Sequence, residues 1–155
     1  MAGTPPALPA RGRLLGVDLG TVRIGIAVSD SAQHIALAHE VLRCSDEPAR
    51  DRLAVAGLVE EFGAVGVVVG LPLRLSGEVG PAARDALGEV EALAAVLSVP
   101  VVTVDERLST VEATRRRREG GGRGRRRAVD DAAAAVLLQG YLDRRIADAA
   151  RAAAP

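Results

Sequence analysis

The stretch VGVVVGL, from Val65 to Leu71, constrains the fold of this 155-residue chain more than any other. It is continuously apolar rather than alternating between apolar and polar residues, and Pro72 ends it. Such a run is typical of a central β-strand whose sheet is covered on both faces. The chain is therefore expected to fold as an α/β protein with helices on the two sides of a sheet.

The segments around this run have two different periods. Leu14–Leu19 and Arg23–Ser29 are separated only by a short turn at Gly20-Thr21, which predicts an antiparallel hairpin. Later segments repeat apolar residues at helical spacing, and Pro81 begins one of them. The predicted elements are strands at 14–19, 23–29, 35–42, 65–71 and 101–104, and helices at 49–62, 81–97, 109–118 and 130–147.

This order of elements predicts a particular sheet. Three meandering strands come first, and crossover helices then alternate with two more strands, so a mixed sheet of three antiparallel and then parallel strands is expected, flanked by helices on both faces. We expect one domain at 14–147, an Arg/Gly-rich loop at 115–127 within it, a flexible tail at 1–13 and a frayed end at 148–155.

Charge is distributed unevenly, although the formal net charge is zero. The segment 115–127, RRRREGGGRGRRR, holds eight arginines and one glutamate, so its net charge is +7 and the rest of the chain carries −7. A basic block of this kind favours a polyanionic partner. The same composition is also typical of a solvated, disordered loop between helices, and the sequence leaves both interpretations open.

Several classes of protein are excluded by the composition. A single cysteine, Cys44, rules out an internal disulfide framework and fits a reducing compartment. No apolar run reaches the ~20 residues that span a bilayer, and the first residues lack the apolar core of a signal peptide. A cytoplasmic protein with no membrane association is expected. His34 and His39 have no cysteine or further histidine at ligand spacing, so neither is predicted to bind a metal.

Acidic residues stand where the predicted strands and the last helix meet. Asp18 closes the first strand, Asp105 and Glu106 follow the strand VVTV, and Asp130-Asp131 opens the last predicted helix. Ligands of open α/β sheets bind beyond the carboxyl ends of the strands, so these acids are expected to converge. Helical periodicity does not decide between Asp130 and Asp131, which also suit a helix N-terminus by charge alone. Neighbouring strand residues face opposite ways, so only one of the 105–106 pair is expected to bind.

Converging carboxylates predict a metal site. Like charges at close range repel and raise each other's pKa, and a hard divalent cation removes the conflict. Two Mg²⁺ or Mn²⁺ ions about 4 Å apart can activate a water and stabilise the leaving oxygen of a phosphodiester. Gly20 would let a phosphate approach the backbone, and Thr21, Arg23 and Arg107 would hold phosphate oxygens.

Four blocks of sequence resemble one known family. The chain is similar to the YqgF/RuvX family, whose members are described as Holliday junction resolvases or pre-16S rRNA nucleases. The family pattern shows Val-Asp before the Ala-rich helix, which corresponds to Asp130 and makes Asp131 secondary. The matching blocks are GVDLGTVRIGIAVSD at 16–30, VVVGLPLRLSGEVG at 67–80, VDERLST at 104–110 and VDDAAAAVLLQGYL at 129–142.

The resemblance implies an RNase H-like fold and a metal-dependent nuclease. It implies that Asp18, Asp105, Glu106 and Asp130 are the catalytic and metal-binding residues, and that hydrolysis leaves 3′-hydroxyl and 5′-phosphate ends. The favoured activity is maturation of the 5′ end of pre-16S rRNA in ribosome biogenesis, with cleavage of branched DNA as the alternative. The partner is a nucleic acid, and the oligomeric state is left open.

Two other functions share parts of this pattern. Actin- and hexokinase-type ATPases begin with a similar Asp-x-Gly-Thr hairpin, but they use two such domains, and this sequence has no second copy. A non-catalytic RNA-binding module is the other alternative, because a fold does not by itself prove turnover. The chain also departs from the family at 74–77, where Arg-Leu-Ser-Gly replaces the common Asn-Met-Asp-Gly.

Overall fold

The computed structural model describes residues 7–71, 80–105 and 123–154, and for 82–83 and 123–131 only the backbone. The predicted helix at 109–118 lies outside these residues. So does the segment 74–77, where the sequence departs from the family pattern. In chain order the described elements are β1 Leu14–Leu19, β2 Arg23–Ser29, β3 Ala36–Arg43, α1 Pro48–Phe62, β4 Gly66–Leu71, α2 Pro81–Val96, β5 Val101–Asp105 and α3 Arg123–Ala153.

The five strands form one mixed sheet in the order β3-β2-β1-β4-β5. The pairs β1–β2 and β2–β3 are antiparallel, whereas β1–β4 and β4–β5 are parallel. Every residue of β4 is buried, as expected for its continuously apolar sequence. The predicted mixed sheet of antiparallel and then parallel strands is therefore confirmed.

Alternate residues of the central strands pack into two different cores. Val67 and Val69 of β4 join a cluster with residues of α1 and α2, such as Val59 and Leu93. Val68, which points the other way, joins a cluster formed with α3. Helices therefore cover both faces of the sheet. No helix in the described ranges is apolar over a stretch long enough to cross a membrane.

The last helix is longer at both ends than the sequence predicts. It begins at Arg123 instead of 130 and continues to Ala153 instead of 147. Five residues of the predicted Arg/Gly-rich loop, 123–127, are therefore helical. Arginine and alanine are among the strongest helix formers, and they outweigh the cost of the single Gly124.

The segment before β1 packs onto the domain, in contrast to the flexible tail predicted for 1–13. Leu8 is only 4% exposed, and the carbonyl oxygen of Pro9 accepts hydrogen bonds from Gln33 Nε2 at 2.8 Å and from the Arg145 guanidinium at 3.2 Å. The sequence-based prediction missed that Leu8 has an apolar site beside Gly66. This segment closes the end of the sheet where β1 and β4 begin.

Candidate functional site

The parallel strands bring two of the predicted acids to one edge of the sheet. Asp18 is the next-to-last residue of β1 and Asp105 is the last residue of β5. Because β1, β4 and β5 are parallel, their carboxyl ends meet at the same edge. Two strand spacings separate the backbones of β1 and β5, which is about 10 Å. This edge is where open α/β sheets bind their ligands.

Asp18 is a buried carboxylate on the α3 side of the sheet. It is 6% exposed, and it shares a face with Leu14, which packs with α3. Gly16, on the same face, lies directly beneath α3, because a Cβ there would be 2.8 Å from the Cβ of Leu138. The side chain of Asp18 is thus directed into the layer between sheet and helix.

The path of α3 brings residue 130 towards the same edge. Ala134 and Leu138 lie over Gly16, whereas Arg145 donates to the carbonyl oxygens of Leu8 and Pro9 at the opposite end of the sheet. The helix therefore runs antiparallel to β1, and the turn before Ala134 extends in the direction of Asp18. Asp130 belongs to that turn.

The start of α3 also changes the interpretation of Asp130 and Asp131. Both were predicted to open the helix, where negative charge is favourable, but the helix begins seven residues before Asp130 at Arg123. No acidic residue lies in its first turn. Stabilisation by the helix dipole falls off within that turn and does not account for two carboxylates here.

Asp105 lies on the other face of the sheet from Asp18. Val102 and Val104 of β5 pack with α3, whereas Val101 packs with the α1–α2 core. Alternation along the strand gives Asp105 the same side as Val101. The structure thus brings Asp18 and Asp105 to one edge but not to one face. Glu106 and Arg107 lie outside the described residues.

A tight turn connects β1 and β2 beside Asp18. The Gly20 N–H donates to the Arg23 carbonyl oxygen at 2.9 Å, and a Cβ on residue 20 would collide with that same oxygen. Glycine is required for this close approach of the backbone to itself. Thr21 lies in this turn and Arg23 is the first residue of β2, so both predicted phosphate-binding residues lie at the same edge as Asp18. Thr21 is exposed and Arg23 is half-buried.

The end of β3 flanks this turn. The Cys44 N–H donates to the Val22 carbonyl oxygen at 2.8 Å, and its Sγ lies 3.6 Å from the Gly20 carbonyl oxygen. Burial, followed by the negative charge of Asp51, raises the pKa of the Cys44 thiol. In the adjacent position Arg43 lies directly opposite Arg23, a pairing that sequence reasoning missed.

The described residues do not by themselves form a cluster that could hold a metal ion. Among them no group of three histidine, cysteine, aspartate or glutamate side chains lies close enough to hold an ion. Glu106 and the side chain of Asp130 are outside that set. The donors predicted for this edge are carboxylate oxygens, which suit a hard divalent cation such as Mg²⁺ or Mn²⁺.

Comparison with known sequences finds the same family that the four sequence blocks resemble. A family profile described as RuvX, Holliday junction resolvase, matches residues 12–144. A relative from Mycobacterium leprae (strain TN), named "Putative pre-16S rRNA nuclease", is 47% identical over 151 residues, which is 95% of this chain and 82% of that protein. One of the same name from Mycobacterium sp. (strain KMS) is 47% identical over 108 residues, 69% of this chain, and the chain spans 64% of that protein's length.

Comparison with solved structures concerns the fold. Thermus thermophilus RuvC, solved in complex with a Holliday junction substrate, aligns with a TM-score of 0.55 at 21% identity, covering 87% of this chain and 96% of that one. A second Thermus thermophilus RuvC structure gives a TM-score of 0.51. The likeness shows an RNase H-like fold, as the sequence predicts. With the profile matched from before β1 to the last turns of α3, this chain belongs to the RuvX Holliday junction resolvase family.

Proposed function

We propose that this protein hydrolyses phosphodiester bonds in structured nucleic acid with the help of divalent metal ions. The observation that carries the proposal is the buried carboxylate of Asp18 at the carboxyl edge of the central strands, beneath the path of α3. Membership of a family named for resolvases and nucleases supports this assignment. The favoured substrate is the 5′ end of pre-16S rRNA, after the name of the mycobacterial relatives.

Metal binding explains why several acids gather at this edge. Neighbouring carboxylates repel each other at close range, and a hard divalent cation removes that repulsion. Two Mg²⁺ or Mn²⁺ ions, when bound, would lower the pKa of a water molecule and neutralise charge on the phosphodiester. We assign Asp18, Glu106 or Asp105, and Asp130 as the residues that would hold these ions.

The face of β5 favours Glu106 over Asp105 as the partner of Asp18. The even-numbered residues Val102 and Val104 pack on the α3 side, which is the side of Asp18. Asp105 is odd-numbered and faces the other side of the sheet, whereas Glu106 is the next even-numbered residue of the sequence. We therefore propose Glu106 as the ligand and a pairing role for Asp105, for instance with Arg107.

The phase of α3 favours Asp130 over Asp131. The buried positions of the helix are 133, 134, 137, 138 and 142. At 100° per residue, position 130 lies about 30° from the centre of this buried stripe and position 131 about 70° from it. Position 130 is therefore nearer in helical phase to the residues that pack on the sheet, in agreement with the match of Asp130 to the family pattern.

Phosphate contacts would come from the turn and from neighbouring basic groups. Gly20 permits the tight β1–β2 turn, whose backbone would lie beside a phosphate bound near Asp18, and the exposed Thr21 offers a hydroxyl donor. Arg23 and Arg107 supply positive charge, and the basic segment 115–127 adds affinity that does not depend on base sequence. These groups bind and orient the substrate while the acids and metal ions carry the hydrolysis.

A second candidate substrate is a branched DNA junction. The matching family profile is itself described as a Holliday junction resolvase. RNA processing and junction cleavage need the same phosphodiester chemistry, so the acidic site is common to both. The two differ in the shape of nucleic acid that the surrounding surface accepts.

The test compares Asp18→Asn with Asp85→Asn, which removes an exposed carboxylate on α2. Purified proteins are incubated with a pre-16S rRNA 5′-end fragment and with a four-way DNA junction, with Mn²⁺, with Mg²⁺ or with chelator. Wild type and Asp85→Asn are expected to cleave only with metal, and Asp18→Asn to lose at least about 10³-fold in rate while still binding. Cleavage by Asp18→Asn at the wild-type rate would overturn the site. No metal-dependent cleavage of either substrate by wild type would favour a non-catalytic RNA-binding module.

A further inference from the structure

We propose that Arg23 and Arg43 form a phosphate-binding subsite that guides the nucleic-acid strand away from the active site across β2 and β3. The inference rests on the proposed function and extends it, because it names the surface that the substrate backbone follows. Arg23 was expected to bind phosphate from the sequence, whereas Arg43 enters only through the structure.

The register of the β2–β3 hairpin creates this pair. Ala27 pairs with Ala38, but Ile26 pairs with Glu40, so a bulge shifts the register by one residue and places Arg43 opposite Arg23. Without the shift, Leu42 would occupy that position. Because bulges re-aim side chains and occur frequently beside active sites, this one has a clear consequence: two arginines stand side by side.

The two arginines are close together. Cys44 N–H donates to the Val22 carbonyl oxygen, so residues 22 and 44 form a hydrogen-bonded pair. The next pair, Arg23 and Arg43, is then of the non-hydrogen-bonded type, in which the Cα atoms are only about 4.5 Å apart. A single phosphate bound between the two strands at this position would contact both guanidinium groups.

The pair lies on the same side of the sheet as Asp18. Ile24 packs with the α1–α2 core, so its neighbours Arg23 and Gly25 face the α3 side, and Gly25 pairs with Asp18. From the strand spacing and the rise per residue, the Cα of Asp18 lies about 10 Å from the middle of the arginine pair. A backbone phosphate near a phosphodiester at Asp18 would come within reach of both long side chains.

Several described arginines have an internal role that Arg43 lacks. Arg52 is paired with Glu89 at 2.8 Å, Arg151 with Asp148, and Arg145 is bonded to Gln33. Arg43 is exposed, and no carboxylate of the described residues forms a salt bridge with it. Asp51, in α1, accepts a hydrogen bond from the Ser45 N–H at 3.0 Å. The charge of Arg43 is thus available to an external anion.

The test is the salt dependence of nucleic-acid binding by Arg43→Gln. Fluorescence anisotropy with a labelled single-stranded RNA and a labelled DNA junction measures affinity between about 50 and 200 mM salt. Loss of one phosphate contact should reduce the slope of log K against log salt by about 0.7 for single-stranded RNA and about 0.9 for the duplex arms. Arg43→Lys, which keeps the charge, should retain the wild-type slope.

Arg11→Gln is the matched control, because Arg11 is an exposed arginine before β1, at the far end of the sheet. Its slope should equal that of wild type. An Arg43→Gln slope equal to wild type, in a protein that binds both probes, overturns the subsite but leaves the nuclease proposal intact. Absence of salt-dependent binding by wild type overturns both.

Discussion

A single glycine in β1 sets the distance between the sheet and the helix that carries Asp130. A Cβ on residue 16 would lie 2.8 Å from the Cβ of Leu138 and 3.2 Å from the Ala134 carbonyl oxygen, which is helix backbone and cannot move alone. We expect Gly16→Ala to destabilise the protein by about 1–3 kcal/mol, the usual cost of overpacking. Urea unfolding measures the loss, and cleavage should fall as well because α3 is displaced from Asp18.

Gly57→Ala is the matched control for this substitution. Gly57 lies within α1, is exposed, and a Cβ there would meet no atom within 4 Å. Alanine is the better helix former, so this variant should be about 0.5–1 kcal/mol more stable than wild type. Equal effects of the two substitutions would contradict the close packing of Gly16 against α3.

Asp30 gives the stability of the β2–β3 turn a defined pH dependence. Its Oδ1 accepts the N–H groups of Ile35 at 2.9 Å and His34 at 2.8 Å. The Ile35 hydrogen bond, aided by that from His34, lowers the pKa of Asp30 below its ordinary 3.8. The stabilisation is fully present above that value and is lost as the pH falls through the lower, folded-state pKa.

Because the pKa of Asp30 is lowered, its charge should stabilise the turn at neutral pH. Asp30→Asn should be less stable than wild type at pH 7, and the difference should shrink as the pH is lowered below about 3.8. Urea unfolding of both proteins between pH 7 and pH 3 measures it, and the subtraction removes the titration of the other carboxylates. A difference that stays constant over this range would show that the Asp30 charge does not support the turn.

At the scale of the element, the sequence predicted the strands and the first two helices to within one residue at each end, but it missed both ends of α3. Leu14–Leu19 and Arg23–Ser29 match β1 and β2 residue for residue, because buried strands need continuous or alternating apolar side chains. The start of α3 was missed because glycines near Arg123 suggest a loop, although the surrounding arginines favour a helix. Helix termini depend on capping and context that single residues express weakly.

The sequence predicted which acids lie at the edge of the sheet, but not the face of the sheet on which each one lies. That Asp18 and Asp105 end parallel strands follows from the order of the elements, and the structure has them at one edge. The opposite faces of Asp18 and Asp105 depend on which β5 residues pack with α3, which only the assembled core reveals. The pairing of Arg23 with Arg43 depends on a bulge, and no residue type in that hairpin marks it.

The phase of α3 yields a prediction that separates two adjacent carboxylates. Asp130→Asn should reduce metal-dependent cleavage by several orders of magnitude, whereas Asp131→Asn should retain most of it, since position 130 lies nearer the buried stripe. Cleavage rates of the two purified variants at saturating Mn²⁺ measure the difference, and each serves as the charge-matched control of the other. Loss of activity only in Asp131→Asn would reverse the assignment.

In the whole molecule, the proposed chemistry and the packing of the segment before β1 lie at opposite ends of the sheet. Asp18, Gly20 and Asp105 stand at the carboxyl ends of the parallel strands. At the amino ends, Arg145 and Gln33 hold the carbonyl oxygens of the segment before β1. Substitutions at this second end can therefore change the free energy of unfolding while the site keeps its geometry.

Leu8 provides the test of that separation. It is 4% exposed and lies against Gly66 at the start of β4, so Leu8→Ala should cost about 2–5 kcal/mol in the free energy of unfolding. Leu53→Ala removes the same atoms from a side chain that is 62% exposed and should change stability by less than about 0.5 kcal/mol. Cleavage per folded molecule, measured well below the melting temperature, should be unchanged in both. A Leu8→Ala protein that is as stable as Leu53→Ala would show that the segment before β1 is not part of the core. A folded Leu8→Ala protein with impaired cleavage would show that the two ends of the sheet are coupled.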